Sequence, residues 1–335
     1  MGIELDSATR LAVQKYGLSW PEVDEDAYTL LTADLDSFAT LVDDDTEVAG
    51  KHMDRLIPSG EGEAINALAE HWDRVKRDDM TPLGASARAL ALRVKELPTA
   101  IAALKSSVTA TALALGLEET KADASAALNP AAPAEAARAI AEKARRANAD
   151  YRSDVQSIWR SLQSVLTDPA VIALEKIPND LAGTSGDGGG GSGGSRWKDV
   201  LDGAGGGAEK GIGGGIAGGA AGGAAHGRAI GSVLKVDHEE HQLAARKIAE
   251  VGREVLDDTS GKLNTAVGDH GTARGSGSLG TDLAEAIDLV LDRLGAATTA
   301  VGNHLSTALP DAILLVSSSQ QDTDDANRQR MAQLD

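Results

Sequence analysis

The pattern that constrains this chain most is a run of apolar residues between positions 83 and 115. Leu83, Ala87, Leu90, Val94, Leu97, Ile101, Leu104, Val108, Ala112 and Leu115 follow one another at steps of four and three. A strand alternates with a period of two, whereas this spacing keeps one stripe on one face of a helix. About five heptads of such a stripe need a facing partner, so the seam predicts a long helix packed against others. Pro98 lies inside the run and is expected to kink the helix without ending the bundle.

The same periodicity recurs elsewhere. Pro21 with Glu22, Asp24, Glu25 and Asp26 makes a helix start, because acids favour the positive end of the helix dipole. Leu31, Leu35, Phe38, Val42, Ala49, Met53 and Leu56 then mark one stripe, which stops at the breakers Ile57 to Gly62. Ile65, Leu68, Trp72 and Val75 open a second helix, with a break expected at Met80-Thr81-Pro82. Towards the C-terminus, Ala244, Ile248, Val251, Val255 and Leu263 mark a helix, Gly268 to Gly280 a turn, and Leu283, Ile287, Val290, Leu294, Val301 and Leu305 a returning helix. The predicted fold class is all-α: elongated hairpins and bundles joined by a glycine-rich region. The expected segments are a bundle over 1–118, a short helical unit over 130–182, a glycine-rich linker over 183–235 and a hairpin over 236–335.

Composition agrees with thin helical cores. Four Trp, three Tyr and one Phe in 335 residues leave alanine and leucine to fill the interior. The formal net charge of −19 argues against nucleic acid as a partner, since phosphate contacts need a basic surface. Absence of cysteine excludes disulfides and thiolate chemistry. The first residues carry neither a basic nor an apolar signal region, so the chain is expected either to stay in the cytoplasm or to leave by a route that reads folded or C-terminal signals.

The order WPEVDEDAY, long helix, glycine turn, then GEAINALAEHW resembles the WXG-type (ESAT-like) domains that head actinobacterial type VII toxins. In that family the turn reads Trp-x-Gly and a second Trp follows ten residues after the glycine. Gly62 and Trp72 keep that spacing, while Gly60 stands where the signature tryptophan would be. The C-terminal region resembles ESX-secretion-associated hairpins more loosely, through Thr323-Asp324 in a helical setting. None of Tyr16, Tyr28 and Tyr151 is followed four residues on by an acid, so the Tyr-x-x-x-Asp/Glu export pattern of such substrates is missing.

The resemblance implies a non-enzymatic type VII secretion substrate, cytoplasmic before export and then secreted or in the cell envelope. It implies pairing with another helical hairpin, within the chain or on a small partner, and contact with the secretion machinery. The expected pairing surface is the seam of Leu90, Val94, Leu97, Ile101, Leu104, Val290, Leu294 and Val301. Alternatives are a membrane-active toxin and a cytoplasmic chaperone for a type VII toxin.

The membrane alternative rests on periodic glycine. Gly207, Gly211, Gly215, Gly219, Gly223, Gly227 and Gly231 fall every fourth residue, a smooth groove of the kind that lets helices approach in lipid. The uncharged stretch between Lys210 and Arg228 reaches about 26 Å as a helix, just short of a bilayer core. Two readings of 203–234 therefore stand side by side, a plain Gly/Ala linker and a segment that contacts a membrane.

No catalytic residue, cofactor or metal is expected. In Asp237-His238-Glu239-Glu240-His241 the histidines lie three apart, where a zincin helix needs four, so this reads as a solvated helix start. The glycines of Gly271 to Gly280 follow no strand and predict no phosphate cradle. Asp24/Glu25 and Asp43/Asp44/Asp45 read as solvated helix faces, and Trp72 and Trp159 as core anchors.

Overall fold

The computed structural model describes residues 2–182, 237–275 and 277–332, and among them every regular element is helical. The fold is all-α, as the periodicity requires. In chain order the helices are α1 (Ser7–Tyr16), α2 (Glu25–Leu56), α3 (Glu63–Arg74), α4 (Thr81–Val94), α5 (Leu97–Ser125) and α6 (Ala132–Gln163). They are followed by α7 (Pro169–Leu174), α8 (Ile177–Ala182), α9 (His238–Glu254), α10 (Ser260–Ala273), α11 (Ser278–Asn303) and α12 (Leu309–Ala332).

Helix ends follow local chemistry. Asp6 caps α1 by accepting from the Ala8 and Thr9 amides, and Gly17 ends it at φ 62°. Asp237 caps α9 in the same way, through the Glu239 and Glu240 amides. Several sequence expectations shift. Helix α2 starts at Glu25, and the stretch before it holds α1, whose short turn count leaves no clear period. Pro98 produces a break: α4 ends at Val94 and α5 restarts at Leu97 with the proline in its first turn, where its missing N–H costs nothing. Conversely, no break occurs at Met80-Thr81-Pro82. The chain stays helical by widening into a π turn over Val75–Met80, which leaves Pro82 at the start of α4. Two further π turns, Val255–Thr259 and His304–Ala308, join α9 to α10 and α11 to α12. The turn expected over Gly268 to Gly280 narrows to 274–277, because α10 continues to Ala273. The polar C-terminal stretch is helical as far as Ala332.

The chain forms two compact units from interleaved segments. One comprises 1–40, 83–172 and 260–295, the other 41–82, 173–259 and 296–335. Helices α2 and α11 each give residues to both units. Residues 183–235, read as a linker, lie outside the described residues.

In the first unit α5 packs on α6, and α1 lies across both. Val13, Leu18, Val108, Leu115 and Ile140 share one core there, with Tyr16, Trp20 and Tyr151 against it. Asn148 ties the α1–α2 connection down, accepting from the Ser19 amide and donating to the Gly17 carbonyl, both at 2.8 Å. A hairpin of α10 and α11 completes the unit, with His270 and Asp288 facing each other at 3.1 Å across its turn. Its turn fits only as glycine: a Cβ on Gly275 (φ 56°) would stand 1.6 Å from the Glu22 carbonyl oxygen. In the second unit α9 packs against α12 and the π turn at 304–308, and α12 against α3.

Candidate functional site

The residues singled out by the family resemblance fall at the α2–α3 turn in the second unit. Pro58 tightens the chain into a 3₁₀ turn over Ile57–Ser59, and Gly62 (φ 126°) starts α3. Gly60 has extended backbone that any residue adopts, so its smallness serves space. A Cβ there would lie 3.0 Å from Ile65 and 3.7 Å from the His241 ring. Ile65 and His241 pack against the turn at this position, so any side chain there would have to displace Ile65 first.

Trp72 is buried to 3% exposure and reaches back over α2, where its Cζ2 lies 3.9 Å from the position a Cβ on Gly50 would take. Positions 50 and 72 are equally far along the chain from Glu61. Their contact therefore fixes α2 and α3 as an antiparallel hairpin with the tryptophan wedged between its arms. Burying an aromatic of this size contributes about 2–3 kcal/mol.

The Asp237–His241 segment docks on this turn. The Asp237 amide donates to Ser59 O at 3.3 Å, and Arg55 pairs with Glu240 at 3.3 Å. The His241 Nδ1 bonds Asp237 O at 2.9 Å, while its Nε2 is buried without a hydrogen-bond partner. The His238 Nδ1 bonds Ser317 Oγ at 2.7 Å. The two imidazoles thus serve different neighbours. Among the described residues no three His, Cys, Asp or Glu side chains converge as metal ligands.

Polar residues inside the second unit were not legible in the sequence. His71 and His304 face each other with Nε2 atoms 2.9 Å apart. Burial holds both imidazoles well below their ordinary range, His71 at about 4 with help from the Arg74 charge and His304 at about 3. Asp45, expected on a solvated face, is 7% exposed and accepts from Thr259 Oγ1 at 2.7 Å. Burial pushes its carboxyl up to about 6. Asp79 is buried too and is pushed up to about 7, chiefly by burial and then by Asp180 and Asp78. Three of these groups, Asp79, Thr259 and His304, sit in π turns, which turn side chains off the regular helical faces.

In the first unit Glu25 also departs from expectation. It is buried and bonds the Lys105 ammonium at 2.5 Å, while Lys105 donates to Val23 O at 2.8 Å. Its other oxygen accepts from the Ile3 amide. A cavity of about 600 Å³ opens beside this pair, with Arg10, Trp20, Glu4 and Glu22 in its wall. Its charges are mixed in sign.

All eight seam residues, Leu90, Val94, Leu97, Ile101, Leu104, Val290, Leu294 and Val301, are buried within the chain. The large apolar side chains left exposed on α4 and α5 are Leu92, Leu113 and Leu117. Trp159, expected as a core anchor, is half-buried. The glycine series Gly207 to Gly231 and the membrane stretch 203–234 lie outside the described residues. No family model, curated protein or solved structure matches the chain.

Proposed function

We propose that this chain is a non-enzymatic type VII (ESX-like) secretion substrate that acts through helical protein contacts. The observation that supports it best is the antiparallel α2–α3 hairpin, closed by the Gly60–Gly62 turn and held by Trp72 on Gly50. On this reading the seam residues serve pairing within the chain, as their burial suits, and the exported form is folded. The secretion machinery is the first partner. The chain is cytoplasmic before export and passes to the envelope or medium.

The test is the amount of full-length chain in the medium of a type VII-competent host with active or inactivated secretion ATPase. Presence that depends on the active ATPase is the expected result. Equal amounts in both media, or none in either, would overturn the proposal.

One described feature favours a second reading, membrane contact. The stretch 64–125, which holds most of α3 and all of α4 and α5, contains a window with the length and composition of a membrane span, a third of it buried inside the chain. The same composition serves a bundle core, where Leu83, Leu90 and Ile101 already sit. Dye release from liposomes by the full chain would favour the membrane reading, and intact liposomes at micromolar protein would count against it.

A further inference from the structure

The second unit contains a contact whose chemistry depends on both rings being neutral. His71 lies on α3 and His304 opens the π turn before α12. Their Nε2 atoms are 2.9 Å apart, close enough for one hydrogen bond, in which one ring donates and the other offers its lone pair. Both rings are nearly out of solvent, at 7% and 1% exposure. The backbone is shaped to bring them together. Gly252 of α9 lies against the π turn so closely that a Cβ there would stand 2.2 Å from the Ser306 nitrogen. Gly302 approaches Leu256 in the same manner, with a would-be Cβ at 2.6 Å. Two glycines and a π turn thus seat His304 opposite His71.

We propose that the His71–His304 contact is an acid-released clasp, which holds α3 to the C-terminal helices at neutral pH and opens when the rings are protonated. One proton converts the accepting nitrogen into a second donor, so the bond is lost. A second proton places two positive charges side by side in an apolar interior. Opening frees the arm that carries Trp72. The inference does not rest on the secretion reading.

The neighbouring charges do not offset this. Arg74, one turn along α3 from His71, disfavours protonation further. Helix α9, packed on the π turn, carries Arg246, Arg253 and Glu254 exposed and Lys247 and Glu250 half-buried, the last two paired with each other. Asp311 of α12 is exposed.

The sign follows from linkage. Both folded-state values, about 4 and about 3, lie below the ordinary 6.5. The contact therefore holds fully above pH 6.5 and weakens as pH falls towards 4. At pH 5 the opening equilibrium rises about thirtyfold for each ring.

Hydrogen exchange of the full chain at pH 7 and pH 5, corrected for the intrinsic rates, reads this locally. Protection in 63–74 and 304–316 should drop at least tenfold at pH 5, while 97–125 keeps its protection. The H71Q/H304Q variant, whose amides can bond but not titrate, should lose that pH dependence. Unchanged wild-type protection at pH 5, or the same loss in the double variant, would overturn the proposal. Should the double variant fail to fold, the wild-type ring proton resonances decide. Titration of both rings together with release is expected, and rings that ionise near 6.5 without any loss of protection would overturn the clasp.

Discussion

Single residues in this chain matter most where two backbones or two buried charges meet. Lys105 and Glu25 are both buried and neutralise one another, so removing one leaves the other charged in a poor solvent. Lys105→Met should cost about 3–5 kcal/mol in urea denaturation, and adding Glu25→Gln should recover much of it. Gly252 lies at the closest approach in the second unit, and its neighbour there is backbone, which cannot rotate away. Gly252→Ala should therefore destabilise by about 1–3 kcal/mol, whereas Gly261→Ala, which meets open space within a helix, should stabilise by about 0.5–1 kcal/mol. Equal effects of the two glycine substitutions would contradict this account of close packing. The burial of Glu25 and Asp45 was not legible in the sequence. Each depends on a partner far along the chain: Lys105 at a separation of 80 residues and Thr259 at 214. Charge runs advertise solvent exposure, and only the fold shows which member turns inward.

Elements were more legible than their joints. The four-and-three spacing marked α2, α5 and α11, because burying one stripe of Leu, Val and Ile is what makes such helices stable. The joints followed chemistry that periodicity does not carry. A proline read as a kink became a restart at Leu97, and a Met-Thr-Pro cluster read as a break was absorbed by a π turn. Helix α1 leaves no period in the sequence because only Thr9 and Val13 are buried along its ten residues. Of the candidate site, the turn and its tryptophan were readable from spacing. The polar pairs behind them were not, and neither was the packing of Ile65 and His241 against Gly60. Gly60→Trp should consequently lower the thermal midpoint, since Ile65 stands 3.0 Å from a Cβ at that position. A midpoint equal to or above wild type would show that the turn has room.

Across the molecule, buried ionisable groups pull stability in opposite directions. The imidazoles of His71, His241 and His304 are held below their ordinary range, so acid works against them. Asp45 and Asp79 are raised, to about 6 and about 7, so the fold favours their protonated forms. Their contribution is fully present below the ordinary carboxylate value and is lost as pH rises through 6 to 7. The two sets oppose each other between pH 7 and pH 5. Wild-type stability should therefore change little over that interval, although the His71–His304 contact weakens locally. Asp45→Asn with Asp79→Asn should raise stability at pH 7.5 by about 1–3 kcal/mol and unmask a decline towards pH 5, read by urea midpoints. A flat profile in the variant would show that the histidines carry no such load.

The secretion proposal ties export to an intact N-terminal hairpin, and Gly50 separates that from mere presence of the sequence. At this position alanine meets Trp72 at an ordinary contact distance of 3.9 Å, while leucine must displace the indole. The most direct measurement is the fraction of chain exported by a type VII-competent host for wild type, Gly50→Ala and Gly50→Leu, at matched intracellular levels. Export of the first two at similar levels, with at least a tenfold loss for Gly50→Leu, is the predicted result. Undiminished export of Gly50→Leu would contradict the proposal that export depends on an intact Trp72 hairpin.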